Sequence, residues 1–151
     1  MQAISSSEQI LKELILRFMQ LFREKKTVLC YFALVIYIII LFYMTVLSRE
    51  PEKVNIVYLD LFWGYDDPLR CQEKLLNIAI FIPVGLLAGF LFKRHRVLIA
   101  LLIGLAVSLS IECSQLAWSR GEFDVDDLFN NTLGAGIGGV IAMLIGWLKV
   151  K

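Results

Sequence analysis

A chain of 151 residues, 58% of them hydrophobic, is too apolar for an ordinary water-soluble domain and leaves no room for a separate one. The formal net charge of +1 favours no particular class of partner, and we expect no nucleic-acid partner. The three cysteines have no regular spacing, so they predict neither a disulfide framework nor a metal site.

The first 26 residues are charged and amphipathic. Apolar side chains recur at helical spacing from Ile10 to Phe22, with polar side chains mostly on the opposite face. We predict an amphipathic helix over residues 1–26 that lies in the inner headgroup layer; a contact helix for another subunit is the alternative. The segment lacks the apolar core and cleavage site of a signal peptide. Residues 27–151 form the second unit, a four-span membrane domain.

Four apolar runs follow, and each is close to the ~20 residues that a helix needs to cross a bilayer. The sequence therefore predicts an all-α membrane protein, a four-transmembrane-helix bundle. An N-terminal amphipathic interfacial helix precedes the bundle, and a long outer loop connects spans one and two. The predicted spans are Val28–Leu47, Leu75–Phe92, Val97–Trp118 and Leu128–Leu148.

The distribution of basic residues predicts the orientation of the bundle. Ten lysines and arginines lie before span one, between spans two and three, or after span four, whereas five lie in the other two loops. By the positive-inside rule, we expect a multi-pass protein with both termini in the cytoplasm. The acidic loops between spans one and two and between spans three and four then face outward.

The outer loop, residues 48–74, is long for a connection between adjacent helices. Its aromatic residues Tyr58, Phe62, Trp63 and Tyr65 suit the level of the membrane interface. They predict either an aromatic belt at that interface or a lid over a site beneath, and the sequence alone does not separate the two.

Span two has a polar start and a kinked middle. Pro83 interrupts the helical hydrogen bonds, and Gly85 and Gly89 form a small-residue face for close packing. Asn77 lies in the first turn of this span. Its amide is a candidate cap, a candidate partner for an acid in span three, or a candidate ligand-binding group.

Span three contains an acidic residue within its apolar run. Glu112 shares one helix face with Ser108 and Gln115, because the three are four and three residues apart. An ionised carboxylate at the centre of a span costs about 3 kcal/mol. Glu112 should therefore be protonated or paired with a cation, and Arg120 is the nearest candidate in sequence. The single histidine, His95, lies on the other side of the membrane.

Three aspartates mark the start of span four: Asp124, Asp126 and Asp127. One aspartate is enough to cap a helix, so three exceed that need. Their oxygens suit a hard divalent cation such as Mg²⁺, which makes them weak metal candidates. A polar network is the interpretation we favour; no cofactor is firmly implied, and a divalent cation is left open.

The polar residues of spans two to four share one depth in the predicted membrane. We interpret them as a pocket that opens to the outer leaflet under the aromatic loop. The candidate ligand-binding residues are Asn77, Glu112, Gln115, Arg120, Asp124, Asp126, Asp127 and Asn131. Without a histidine or a partnered nucleophile on this side, binding is favoured over catalysis. If the protein is an enzyme, the catalytic candidates are Glu112, Asp124, Asp126 and Asp127.

Several ordered motifs resemble the VanZ-like family of teicoplanin-resistance-type integral membrane proteins. They are N-x-x-x-F-x-P-x-G from Asn77 to Gly85, E-x-x-Q from Glu112 to Gln115, and R-x-x-x-D-x-D-D-x-x-x-N-x-x-G from Arg120 to Gly134. The resemblance covers spans two to four. It implies a bacterial plasma membrane protein that acts at the cell surface and lowers susceptibility to lipoglycopeptide antibiotics.

Three functions are compatible with these observations. The first is a surface factor whose pocket binds an envelope lipid, a lipid-linked wall precursor or the drug itself. The second is a membrane-embedded enzyme that modifies an envelope lipid through Glu112 and the aspartates. The third is a small transporter or a subunit of a membrane complex. Membrane lipids are expected partners in each case, and the sequence does not predict an oligomeric state.

Overall fold

The computed structural model describes residues 6–51, 56–63 and 65–148. Within this part of the chain, four helices are long and apolar enough to cross a membrane, which confirms the predicted all-α bundle. The elements in chain order are α1 (Ser6–Phe42), a π-helical turn (Tyr43–Leu47), β1 (Val57–Tyr58), α2 (Pro68–Leu91), α3 (Arg96–Ala117), β2 (Phe123–Asp124) and α4 (Val125–Leu148).

Helix α1 joins the amphipathic segment and the first span. It is continuous through residue 26, and its candidate membrane span is Glu24–Leu47. The boundary predicted at residue 26 therefore coincides with no break in the helix, and residues 1–5 lie outside the described residues. A location of its first part on the membrane surface stays a prediction.

Helices α2 and α4 begin earlier than the apolar runs predict, because polar residues start them. Asp67 accepts a hydrogen bond from the backbone N–H of Leu69 at 2.9 Å, and Pro68 occupies the first turn, where its missing N–H costs nothing. In α4, Asp126 and Asp127 lie in the first helical turn rather than before it. Both helix starts lie at the end of the bundle where α1 and α3 finish. We call this the acidic end.

Close backbone contact between α2 and α4 forms the centre of the bundle. A Cβ on Gly85 would collide with the carbonyl of Ala135, and a Cβ on Gly134 would collide with the carbonyl of Ile78. The small-residue face predicted for span two therefore packs against small residues of α4. Gly104 of α3 packs against Ala135 in the same way, so α2, α3 and α4 pack tightly around one line.

Helix α1 packs at the side of this group. Leu34, Leu41 and Val46 meet the buried side chains of Phe81 and Val84 in a shared apolar cluster. Pro83 lies inside α2, as predicted, and removes one helical hydrogen bond there. Near it, the Tyr37 hydroxyl of α1 donates to the carbonyl oxygen of Ile80 at 2.8 Å. This bond anchors α1 to α2 close to Pro83.

The outer loop is attached to the loop between α3 and α4. Strands β1 and β2 pair in parallel, with Val57 opposite Phe123 and Tyr58 opposite Asp124. The backbone N–H of Phe123 also donates to the carbonyl of Ile56 at 2.9 Å. This short ladder draws the aromatic loop over the start of α4.

Candidate functional site

A buried lysine lies among the carboxylates of the acidic end. Lys74, in α2, is 3% exposed, and its Nζ lies 2.7 Å from Asp126 Oδ2 and 3.4 Å from Asp124 Oδ2. Asp126 is fully buried. Burying a charge is costly unless it is paired and hydrogen-bonded, and here each charge compensates the others. We call the two aspartates that Lys74 holds, Asp124 and Asp126, the clamped pair.

The remaining oxygens of the clamped pair bind backbone and ring N–H groups. Asp124 Oδ1 accepts from the backbone N–H of Asp126 at 2.8 Å, which caps the start of α4. Asp126 Oδ1 accepts from the backbone N–H of Phe62 at 2.7 Å. The indole Nε1 of Trp63 donates to Asp124 Oδ2 at 3.3 Å. All four oxygens of the two aspartates are thereby satisfied.

The aromatic loop forms a lid over this end of the bundle. We define the lid as residues 56–63 and Tyr65. The Tyr65 hydroxyl exchanges hydrogen bonds with the Asn130 amide at 3.0 and 3.2 Å, and its ring lies 5.2 Å from Lys74 Nζ. The Arg70 guanidinium lies 4.1 Å over the Trp63 ring. These contacts attach the lid to α2 and α4, and the choice between a functional lid and an aromatic belt stays a prediction.

One lid residue has an unusual backbone. Phe62 has φ of 66°, a left-handed conformation that is costly for a bulky side chain, about 1–3 kcal/mol. Its N–H is the group bound by Asp126, and its ring packs edge-on against Phe129 of α4. The buried carboxylate therefore helps to hold the lid in a conformation that the chain alone would disfavour.

Two further acids lie beside the clamped pair without a cation of their own. Glu112 of α3 is 1% exposed, and its Oε2 accepts from the backbone N–H of Asp124 at 3.0 Å. Asp127 is half-buried and interacts with the Asn77 amide. Among the residues that the structure describes, neither carboxylate has a basic nitrogen within 4.0 Å. We call Glu112 and Asp127 the open pair.

Beneath the open pair, α3 and α4 are joined by a polar contact. Asn131, which is 4% exposed, follows Asp127 by one helical turn, and its Nδ2 donates to Ser108 Oγ at 2.9 Å. Ser108 in turn precedes Glu112 by one turn. Asn131 Oδ1 is buried without a hydrogen-bond partner in the described part of the chain. The hydrogen-bonded polar residues thus extend from the acidic end one turn further into the bundle. Among the described residues, the Asn131 Oδ1 acceptor there has no donor.

Gln115 and Arg120 donate hydrogen bonds to backbone carbonyls near the end of the first span. Arg120 Nη1 donates to the carbonyl oxygens of Leu47 and Arg49, both at 2.8 Å, and Gln115 Nε2 donates to the carbonyl of Thr45 at 2.9 Å. The expected ion pair between Arg120 and Glu112 is absent from the described residues. Both side chains instead satisfy the free carbonyls at the end of the first span, which have no helical donors.

Arg49 is the basic residue whose charge acts on both members of the open pair. Its side chain is exposed, and its Nη1 lies next to Gly121, beside Gln115. Gly121 has φ of 156°, and a Cβ there would press on the guanidinium. Arg49 therefore lies near enough to the open pair to act on both acids electrostatically, but outside ion-pair distance.

The three aspartates do not form a shared ligand set for a metal. In the described ranges of the chain, no three side chains among Asp, Glu, His and Cys are arranged to hold a metal ion. At the position between Asp124 and Asp126, the structure has the Lys74 ammonium. The predicted polar network matches this arrangement.

Three members of the network lie outside the residues predicted from the sequence: Lys74, Tyr65 and Asn130. Lys74 is three residues before Asn77 and seven before Phe81, so it occupies the packed face of α2. Extending the helix spacing of span two by one turn toward its start would have found it. The lid contacts have no comparable sequence signal, since two of them use backbone N–H groups or a ring nitrogen.

Comparison with known proteins decides the family. A family model described as VanZ/LLP1 matches residues 28–146, which cover most of the first span, all of α2 and α3, and α4 except its last two residues. The chain belongs to the VanZ/LLP1 family. The resemblance inferred from the motifs is therefore confirmed.

A relative within this family is the Protein VanZ of Enterococcus faecium. The chain is 36% identical to it over 67 residues, a match that covers 44% of this chain and 42% of that protein. The match thus spans less than half of either protein. No solved structure matches the chain.

Proposed function

We propose that this VanZ/LLP1 protein acts at the bacterial cell surface and lowers susceptibility to teicoplanin-type lipoglycopeptides. In this proposal the acidic end binds an envelope lipid, a lipid-linked wall precursor or the drug itself, and so reduces access of the drug to its target. The observation that carries the proposal is the open pair, two acids at the end of a membrane-spanning bundle that have no basic nitrogen within 4.0 Å in the described part of the chain.

The energetics support a binding role for the open pair. A carboxylate within a membrane span is costly to retain, and such residues usually line a site. The clamped pair needs no ligand because Lys74 and three N–H groups already donate hydrogen bonds to all four of its oxygens. Glu112 and Asp127 have fewer such partners, so an external group that satisfies them would gain the interaction that the chain itself does not supply.

Susceptibility measurements test this proposal with matched variants. In a teicoplanin-susceptible host, the protein should raise the inhibitory concentration over an empty vector. Glu112→Gln and Asp127→Asn should return it to the vector level. Glu73→Gln and Asp66→Asn make the same chemical changes at exposed positions and should protect as wild type does. Equal protection by all variants at equal membrane abundance would reject the proposal.

The proposal also requires the acidic end to face outward, in the plasma membrane, with both termini in the cytoplasm. Asp66→Cys in a chain whose three native cysteines are replaced by alanine provides a label at this end. A membrane-impermeant maleimide should modify it in intact cells, whereas Arg94→Cys at the other end should react only after lysis. The opposite pattern would place the site in the cytoplasm and exclude a surface function.

A further inference from the structure

Resting on this proposed function, we infer that the open pair recognises a primary ammonium group on the ligand. The ligand class is then an amine-bearing envelope molecule, either a lipid with an amino headgroup or a soluble amine such as an amino sugar. The inference starts from the chemistry that the acidic end already displays.

The clamped pair shows what this environment binds. Lys74 places an alkylammonium between two carboxylates and near an aromatic ring, all within the protein. The open pair offers the same carboxylate chemistry beside it, on α3 and α4. No lysine or arginine of the described residues lies within ion-pair distance of it. A second ammonium would complete the arrangement that the first one demonstrates.

The unused acceptors match the three N–H donors of a primary ammonium. Glu112 uses Oε2 for the Asp124 backbone, and its Oε1 receives no hydrogen bond from a described residue. Asp127 supplies a second carboxylate, and its contact with Asn77 orients it. Asn131 Oδ1 is a buried acceptor without a donor. An N-acetylated amine, with one N–H and no charge, would satisfy this set poorly.

Helix geometry directs these groups toward one another. Side chains of an α-helix tilt toward its N-terminus. Helix α4 begins at the acidic end, so Asn131 leans outward, toward Asp127. Glu112 of α3 lies one turn from Ser108, the residue to which Asn131 is bound, and its Oε2 accepts from the Asp124 backbone N–H just before α4. The buried Asn131 amide therefore lies one helical turn from Asp127 and is bound to the residue one turn from Glu112, next to both acids.

Access to these groups is from the side of Asp127 and Asn77. Both residues are half-buried, whereas Glu112 is 1% exposed. The positive charge of Arg49 acts on both acids. Arg49 therefore competes with an incoming ammonium, and its removal should strengthen ammonium binding.

The test uses full-length protein in phosphatidylglycerol nanodiscs that contain equal amounts of phosphatidylethanolamine and its N-acetylated form. Native mass spectrometry then counts the lipid retained by the protein. Wild type should retain the amine over the amide about tenfold, as one charge-assisted hydrogen bond confers. Glu112→Gln and Asp127→Asn should lose this preference, and Glu73→Gln should keep it. Arg49→Gln should increase it.

The sign of the Arg49→Gln effect separates recognition from a structural role, since a structural defect would lower retention in every variant. If Glu112→Gln does not fold, the half-buried Asp127→Asn and the exposed Arg49→Gln decide the outcome. No preference in wild type, an undiminished preference in Asp127→Asn, or a decrease in Arg49→Gln would overturn the inference. Displacement of the amino lipid by millimolar MgCl₂ in wild type but not in Asp127→Asn would also overturn it.

A soluble arm identifies the source of the amine. Displacement of the amino lipid by glucosamine, but not by N-acetylglucosamine, supports a soluble amine as ligand. Lipid preference without displacement supports a lipid headgroup. Antibiotic protection that depends on Glu112 without any amine preference would leave the proposed function standing and reject the ammonium. Amine preference without antibiotic protection would reject the proposed function and leave the recognition of an ammonium standing.

Discussion

The two pairs of acids at the acidic end lie side by side and differ in one respect. The clamped pair, Asp124 and Asp126, has an ammonium from the chain itself, and its oxygens also bind the lid. The open pair, Glu112 of α3 and the half-buried Asp127 of α4, lies beside it but has no cation within ion-pair distance among the described residues. The same type of side chain thus has different partners in the two pairs.

The difference teaches how a membrane protein can keep a charged site without losing its fold. The clamped pair fastens α2, α4 and the lid together, so it accounts for stability. The open pair makes fewer contacts, one from Glu112 to the Asp124 backbone and one from Asp127 to Asn77, so we expect stability to depend on it less. The comparison predicts that stability and function respond to different substitutions a few residues apart.

The largest expected effect tests the clamped pair. Lys74→Met removes the cation and leaves two buried carboxylates uncompensated, which should lower the free energy of unfolding by about 3–5 kcal/mol. Chemical denaturation in detergent micelles, followed by tryptophan fluorescence, measures this loss. Lys93→Met makes the same change at an exposed position beyond α2 and should have little effect. A Lys74→Met variant as stable as wild type would break the comparison.

A smaller loss is expected where Arg120 fastens the end of the first span. Arg120→Gln removes a charged donor from the carbonyls of Leu47 and Arg49, and should cost about 1.5 kcal/mol of unfolding free energy, since the site is partly exposed. Arg94→Gln, at an exposed turn, is the control. If Arg120→Gln instead abolishes ligand retention at unchanged stability, Arg120 belongs with the open pair.

The lid contributes a single hydrogen bond through Trp63. Trp63→Phe keeps an aromatic ring for the stack on Tyr58 and for the Arg70 guanidinium, but loses the indole N–H bond to Asp124. We expect a loss of about 1 kcal/mol in unfolding free energy. Trp147→Phe, exposed at the far end of α4, should change it less. Equal losses in the two variants would mean that the bond does not secure the lid.

The smallest change in stability is expected in the open pair. Asp127→Asn keeps the shape of the side chain and removes a charge whose close neighbours include Glu112 and Asp124, so unfolding free energy should change by less than about 1 kcal/mol. Asp126→Asn makes the identical change in the clamped pair and should cost clearly more. Denaturation of the two variants in parallel measures the contrast, and similar losses would contradict it.

The fold could be predicted because its signals are long and repetitive. Four apolar runs of about 20 residues and small residues at helical spacing define the bundle and the α2–α4 contact. The helix starts were harder to predict, because Asp67 and Asp124 begin helices from outside the apolar runs. Capping depends on local backbone geometry that hydropathy does not record.

The site could be predicted only as a set of polar residues at one depth. Lys74 was counted with the loop charges, although its spacing from Asn77 places it on the packed face of α2. The partners of Arg120 are backbone carbonyls, which every residue carries, so no sequence pattern could identify them. The separation into a clamped and an open pair depends on tertiary contacts between residues that are far apart in the sequence.

The most direct test of this separation supplies the open pair with a lysine of its own. Asn77→Lys adds an ammonium one turn after Lys74, on the residue that contacts Asp127, with Asn77→Gln as the neutral control. The account predicts that Asn77→Lys melts at a temperature no lower than wild type and no longer protects cells against teicoplanin. A lower melting temperature, or protection equal to that of wild type, would contradict the claim that the open pair binds an ammonium group.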